Sequence, residues 1–216
     1  FMYSELLNYL PADRLLFNEE MKNHTTFRIG GPVDIMAMPR DEEDVCAIIT
    51  FCHRKNIPLF IFGLGSNLLV RDGGIRGIAM KLGDNLDEVE TTGDEIQAQA
   101  GVKLSALVRI SAFHSLSGLE FAEGIPGSLG GAVVMNAGAY DGEIGNLVIE
   151  VTAISPEGSL KIFKTEDMQW GYRQSIFQNN GYTVIEQCRR REPPPSAYAR
   201  IVRLPASRYP AKHEAR

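Results

Sequence analysis

Cysteine is scarce in this 216-residue chain: Cys46, Cys52 and Cys188 form an odd, scattered set. That spacing fits neither a zinc site nor a disulfide framework, and it suits a reducing cytoplasm. His24, His53, His114 and His213 are few and far apart, and none stands beside an acid at a telling spacing, so neither a catalytic histidine nor a metal centre is expected. No apolar run is long enough to span a bilayer, and the N-terminus lacks the basic and apolar regions of a signal peptide, so no membrane partner is expected. Positive charge is also short. A net charge of −5 argues against a general nucleic-acid binder. No internal repeat is evident. Length and apolar content allow one large domain or two small ones around a core.

Glycine is plentiful, and it is clustered. The stretch from Gly118 to Tyr140 holds Gly118, Gly124, Gly127, Gly130, Gly131 and Gly138 among almost uncharged neighbours. Glycine costs backbone entropy, so a cluster signals unusual φ angles or a ligand pressed against the main chain. Pro126 fixes a turn, Ser128 can cap a helix, and Gly130 and Gly131 leave its first turn bare, which favours an anion such as phosphate. Tight packing of a helix on a sheet is the alternative. A second loop, Gly63-Leu64-Gly65-Ser66-Asn67, follows the strand-like Leu59–Phe62 and precedes Leu68-Leu69-Val70. A dinucleotide-binding turn needs a third glycine where Leu68 stands, and a helix after it; a nucleoside-triphosphate loop needs a Gly-Lys-Ser/Thr step. Both are missing. A strand–loop–strand remains, whose N–H groups, with Ser66 and Asn67, can cradle a pyrophosphate.

In chain order, Ser4–Leu10 is a short helix, Asn23–Gly31 an extended segment and Asp34–Met38 a strand. Asp41–Lys55 has apolar Val45, Ile48, Ile49 and Cys52 at helical spacing, acids in its first turn and bases in its last, with Asn56 and Pro58 to stop it. Ile78–Leu82 is a strand. Asp87–Thr91 and Glu95–Ala100 flank a turn at Gly93-Asp94. Lys103–Ser115 is a helix with Leu104, Leu107, Val108, Ala112 and Phe113 on its apolar face. Val148–Ile154 and Leu160–Lys164 form a further hairpin, and Tyr182–Gln187 a last strand. Strands paired by hairpins with few helices between them indicate an α+β fold. Residues 188–216 carry a net charge of +6 and five prolines, a composition that is often disordered.

Four ordered blocks carry a family resemblance: Asn23-His24-Thr25-Thr26-Phe27-Arg28-Ile29-Gly30-Gly31, Gly63 to Val70, Gly124 to Tyr140, and Gly171-Tyr172-Arg173-Gln174-Ser175-Ile176-Phe177. Together they resemble the bacterial flavoenzyme family of UDP-N-acetylenolpyruvoylglucosamine reductase, also called UDP-N-acetylmuramate dehydrogenase. The resemblance implies an α+β, two-subdomain FAD-binding fold of the vanillyl-alcohol-oxidase (PCMH) type. It divides the chain into residues 1–84, residues 85–187, and a basic tail 188–216 where the family's substrate-binding domain is expected. It also implies peptidoglycan precursor synthesis in the cytoplasm by a monomer, with a UDP-sugar and NADPH as small-molecule partners.

By the same resemblance, non-covalent FAD is held by Arg28, Gly63, Gly65, Ser66, Asn67, Leu68, Gly124, Ile125, Pro126, Gly130, Gly131, Asn136 and Gly138, and His24 helps to form the pocket. A branched side chain at Gly130 is expected to block the diphosphate. Tyr172 lies at the substrate, and Arg173 polarises the enolpyruvyl carboxylate. Guanidinium suits that role because it is permanently charged and planar, and it grips a carboxylate with two hydrogen bonds. A surface arginine paired to Glu166 or Asp167 is the alternative. The implied reaction has two halves: NADPH reduces FAD, and hydride then passes to the enolpyruvyl carbon distant from the carboxylate. No segment after residue 187 matches the family's proton-donating serine or assisting glutamate, so neither role is assigned. Two rivals remain: another flavin oxidoreductase on the same fold, or a flavin-binding module without turnover.

Overall fold

The computed structural model describes residues 4–185 and 200–203. A mixed sheet forms the first half, built from β1 (Leu15–Glu20), β2 (Pro32–Ala37), β3 (Leu59–Phe62) and β4 (Ile75–Lys81) in the order β1-β2-β4-β3. β4 runs parallel to both β2 and β3, while β1 is antiparallel to β2. Alternation along the strands divides the apolar side chains between two faces. Ile35, Ala37, Ile78 and Met80 enter the main core, while Met36, Phe62 and Ala79 join a smaller cluster on the other side with Met21 and Val70. A register shift between Val33 and Ile35 places Val33 with the smaller cluster.

Helix α1 (Glu42–Lys55) joins β2 to β3 and has the ends its sequence implies. Asp41 accepts the Asp44 N–H at 2.9 Å, and Asn56 closes the helix in the left-handed region at φ +53°. Asp44 is buried, and it receives the Arg40 Nε and Nη2 at 2.9 and 3.1 Å and the Arg40 backbone N–H at 3.0 Å. Burial pushes its carboxyl up, but the bonds and charge of Arg40 outweigh this and hold it below the usual range. Its folded pKa therefore lies below its unfolded one, about 3.9. The stability it contributes is complete above that value and is lost as pH falls through the lowered one. We expect Arg40→Ala to shrink the fall in urea midpoint between pH 5 and pH 3. An equal fall in both proteins would remove the pair from the acid response.

Beyond the first sheet, β5 (Val89–Thr92) and β6 (Glu95–Ala98) form the expected hairpin through Gly93, at φ +63°. Next come α2 (Leu104–Phe113), the short α3 (Leu129–Val134), the two-residue pair β7 (Gly138–Ala139) and β8 (Gly142–Glu143), and β9 (Glu150–Ile154). β10 (Leu160–Lys164) and β11 (Thr183–Val184) flank β9 on either side. β12 (Arg200–Arg203) lies antiparallel on β6, and the rest of the basic tail falls outside the described residues. One apolar core runs from Leu6 to Ile185 across these elements. No helix among the described residues is long and apolar enough to cross a membrane.

Three local expectations need correction, and one strand, β1, carried no expectation. The segment 23–31 is not simply extended: Met21–His24 is a 3-10 turn, and Arg28 stands at φ +54°. Leu68–Val70 is no strand: among the described residues β3 pairs with β4 alone, and Val70 instead packs beneath Gly30. β1 takes the sheet edge, where burial on both faces is incomplete and alternation is blurred. On α2, Leu104, Leu107 and Ser111 are buried, while Phe113 has rolled past the buried stripe and is 84% exposed.

Candidate functional site

The two glycine loops meet. Ser66 Oγ donates to Pro126 O at 2.8 Å, and Gly63 presses so closely on Ser128 Oγ that a Cβ there would collide with it. Gly65, at φ +66°, presses equally on the His24 carbonyl, and its own carbonyl accepts the Thr26 N–H at 3.1 Å. The first block thereby underlies the loop after β3. His24 Nε2 lies 2.9 Å from Glu19 Oε1, which ties that block back to β1.

Between these loops opens a cleft of about 320 Å³, lined by Thr26, Leu64, Ser66, Gly124, Ile125 and Pro126 among others. Gly124 has nothing within 4 Å of where a Cβ would stand, so its main chain is open. Exposed backbone beside a hydroxyl is what a diphosphate requires. The start of α2 contributes Lys103 and Ser105 to the same cleft. Leu104 N–H donates to Gly127 O at 3.0 Å, which ties that helix to the second loop. Lys103 Nζ stands 3.7 Å from Asp84 Oδ1 and keeps an exposed side chain. The glycine pattern pointed to none of Thr26, Lys103 and Ser105. Thr26 lay within a matching block, but a lysine and a serine at a helix start carry no signal of their own.

Three glycine-stretch assignments change in the structure. Gly130 is buried, its N–H donates to Ala100 O at 2.8 Å, and a Cβ would lie 2.8 Å from the Ala100 Cβ. It packs on Ala100, and its N–H is spent there. Gly138 is buried against β8, where a Cβ would collide with the Gly142 carbonyl. Asn136 is 1% exposed, with its amide bonded to Glu143, Gly171 and Gly145, so that amide is not a free flavin ligand. Gly131 is exposed, with only Ser128 Oγ, at 3.5 Å, near its Cβ position. Ser128 occupies the N-cap of α3 without a side-chain capping bond. Arg28 and Asn67 are exposed and Leu68 is half-buried; none of them lines the cleft.

Tyr172 and Arg173 form the tip of a two-residue turn, closed by Gln174 N–H to Gly171 O at 3.0 Å and Gly171 N–H to Gln174 O at 3.1 Å. Arg173 is held at φ +55°, a region that L side chains rarely adopt. Its Nη2 donates to Gly138 O at 2.6 Å, and its guanidinium lies 5.5 Å from the centre of the Tyr172 ring. None of the ion pairs among the described residues includes it; Asp167 instead accepts the Lys164 N–H. Ser175 Oγ donates to Val134 O at 2.8 Å. The turn is thus bonded at several points to Val134–Gly138, the far end of the stretch whose Gly124 opens the cleft.

A sequence profile described as FAD binding domain matches residues 33–164. The UDP-N-acetylenolpyruvoylglucosamine reductase of Syntrophomonas wolfei is 55% identical over 184 residues, which cover 85% of this chain and 62% of that protein. The protein of the same name from Clostridium tetani is 46% identical over 183 residues, covering 85% and 59%. In three dimensions the chain is similar to the UDP-N-acetylenolpyruvylglucosamine reductase of Thermus caldophilus, with a TM-score of 0.69, 29% identity, and coverage of 91% of this chain and 62% of that one. An alkyldihydroxyacetonephosphate synthase at 14% identity and a TM-score of 0.63 shares the fold. The architecture is the α+β FAD-binding fold of the vanillyl-alcohol-oxidase type. The chain spans about 60% of the length of the curated relatives it matches.

Proposed function

Because the chain belongs to the FAD-binding domain family, we propose that it is the flavin-binding part of a cytoplasmic, monomeric reductase that converts UDP-N-acetylglucosamine enolpyruvate to UDP-N-acetylmuramate with NADPH. The observation that supports this most is the attachment of the Tyr172–Arg173 turn, through Arg173 Nη2 and Gly138 O, to the glycine stretch that also lines the cleft. One stretch of backbone then serves both a cofactor and a substrate carboxylate.

The residues present fit FAD, because the open main chain at Gly124 and the cleft of about 320 Å³ leave room for a diphosphate that a Cβ would fill. Gly124 would hold it through its open main chain, with Ser66, Ile125 and Pro126 lining the space around it, and Lys103 supplies positive charge on the cleft wall. When bound, FAD supplies hydride transfer between NADPH and the enolpyruvyl carbon. Arg173 holds the carboxylate with its planar fork and stabilises the negative charge that grows beside it. Tyr172, 85% exposed, lays its ring beside the guanidinium and presents an apolar surface to the sugar nucleotide.

Acid denaturation of the purified chain is expected to release all of its flavin into solution, with the chromophore identified as FAD by mass. Colour that stays with the precipitate would exclude non-covalent binding. A protein purified without flavin, and unable to take it up from solution, would sink the assignment. Flavin that is bound but not bleached by NADPH would leave a binding module instead of a reductase.

A further inference from the structure

The amide of Asn136 is buried and committed on both sides. Its Nδ2 donates to Glu143 Oε2 at 2.9 Å and to Gly171 O at 3.0 Å, and its Oδ1 accepts the Gly145 N–H at 2.9 Å. Only a donor can face the Glu143 carboxylate and the Gly171 carbonyl, so the orientation of the amide is fixed. Gly171 is the first residue of the turn that carries Tyr172 and Arg173, and its carbonyl also accepts the Gln174 N–H that closes the turn. At φ +55°, Arg173 keeps an unfavourable backbone, which persists only where surrounding bonds over-determine it. The bond from Arg173 Nη2 to Gly138 O is available for exchange when the guanidinium meets an anion. Ser175 anchors the chain beyond the tip. Gln178 Nε2 holds Arg173 O at 3.0 Å, and the Asn136 bond ties the Gly171 end of the turn to the glycine stretch without using the arginine side chain.

We propose that Asn136 is a positioning residue: it grips Gly171 O, with Glu143 orienting the amide, and so holds the Tyr172–Arg173 turn in the form that aims the guanidinium. This rests on the reading of Arg173 as the partner of a substrate carboxylate. A guanidinium displaced by about 1 Å costs on the order of a hundredfold in rate, so the base of the turn matters as much as its tip.

Two variants test it in the flavin-loaded protein at the full length of the relatives. Asn136→Gly deletes the amide and suits the φ of +42° at this position, where alanine would add strain. Asn136→Asp keeps the shape but sets a carboxylate oxygen against Glu143 and Gly171 O. Trypsin cleavage after Arg173, followed by mass spectrometry, reads the opening of the turn. Both variants are expected to be cut about tenfold or more faster there than the parent, with cleavage after Lys55 and flavin content unchanged. Titration with the enolpyruvyl UDP-sugar, followed by the flavin spectrum, is expected to show binding weakened by about tenfold or more, while bleaching by NADPH keeps its rate. A folded variant with parental cleavage after Arg173 overturns the proposal. So does faster cleavage with parental affinity for the sugar. A full-length parent whose flavin ignores the sugar removes the reading of Arg173, and the cleavage rates then decide whether Asn136 holds the turn.

Discussion

Arg173→Ala is expected to spare reduction of the flavin by NADPH and to slow reduction of the enolpyruvyl sugar by about a hundredfold, or roughly 3 kcal/mol of transition-state stabilisation. The split follows from when the charge appears. Negative charge beyond the carboxylate's own reaches the fragment only as hydride arrives, and reduction of the flavin by NADPH does not involve the sugar, so a cation placed there has nothing to stabilise in the first half-reaction. Arg173 sits at the tip of its turn, outside every ion pair among the described residues, with one hydrogen bond to Gly138 O and a ring face beside it. Its charge is therefore available to a ligand. Lysine is expected to restore little, since a compact ammonium cannot reproduce a two-point grip on a carboxylate. Stopped-flow traces separate the halves: bleaching on mixing with NADPH, then recolouring on adding the sugar. The comparison belongs in a protein with the full length of the relatives, of which this chain spans about 60%. Normal recolouring by Arg173→Ala would take Arg173 out of the chemistry.

What the sequence made legible about the fold was local. Asp41, the acids after it and Asn56 mark both ends of α1 because capping is decided within four residues. The β5–β6 hairpin was likewise written in Gly93-Asp94, where a positive φ is needed. Features decided by distant partners were not legible. β1 has one strand neighbour, so its side chains show no clean alternation. The extended look of Leu68–Val70 says nothing about whether an edge is free to pair. Phe113 is apolar and correctly spaced to within one position, yet that one position turned it to solvent.

The candidate site divides in the same way. The two loops announced themselves by glycine, but a glycine is silent about which neighbour needs the space. Gly124 faces an open cleft, Gly130 faces Ala100, and Gly138 faces β8. All three look alike in a sequence, and only the fold separates a ligand's approach from a packing contact. Asn136 was expected at the cofactor because of its company, whereas its burial makes it a clasp between the glycine stretch and the arginine turn.

The largest loss of flavin is expected from Gly65→Ala. Two costs coincide there. The φ of +66° is unfavourable for any L side chain by about 1–2 kcal/mol. The new Cβ would also strike the His24 carbonyl, a backbone atom that cannot rotate away. Forcing that contact costs a further 1–3 kcal/mol or so. The strain falls on the Thr26 N–H to Gly65 O bond and on the Ser66 hydroxyl that reaches Pro126, so the two loops part and the cleft loses its shape. Gly93→Ala isolates the first cost, because Gly93 has nearly the same φ, +63°, and nothing within 4 Å of its Cβ position. That variant is expected to lose a few degrees in melting temperature, about 2–4 °C per kcal/mol for a chain of this size, and to keep its flavin. Gly65→Ala is expected to fall further and to hold little flavin in its folded fraction. If the two variants prove equal in melting temperature and in flavin per folded chain, the contact between the first block and the Gly65 loop does not shape the cofactor site.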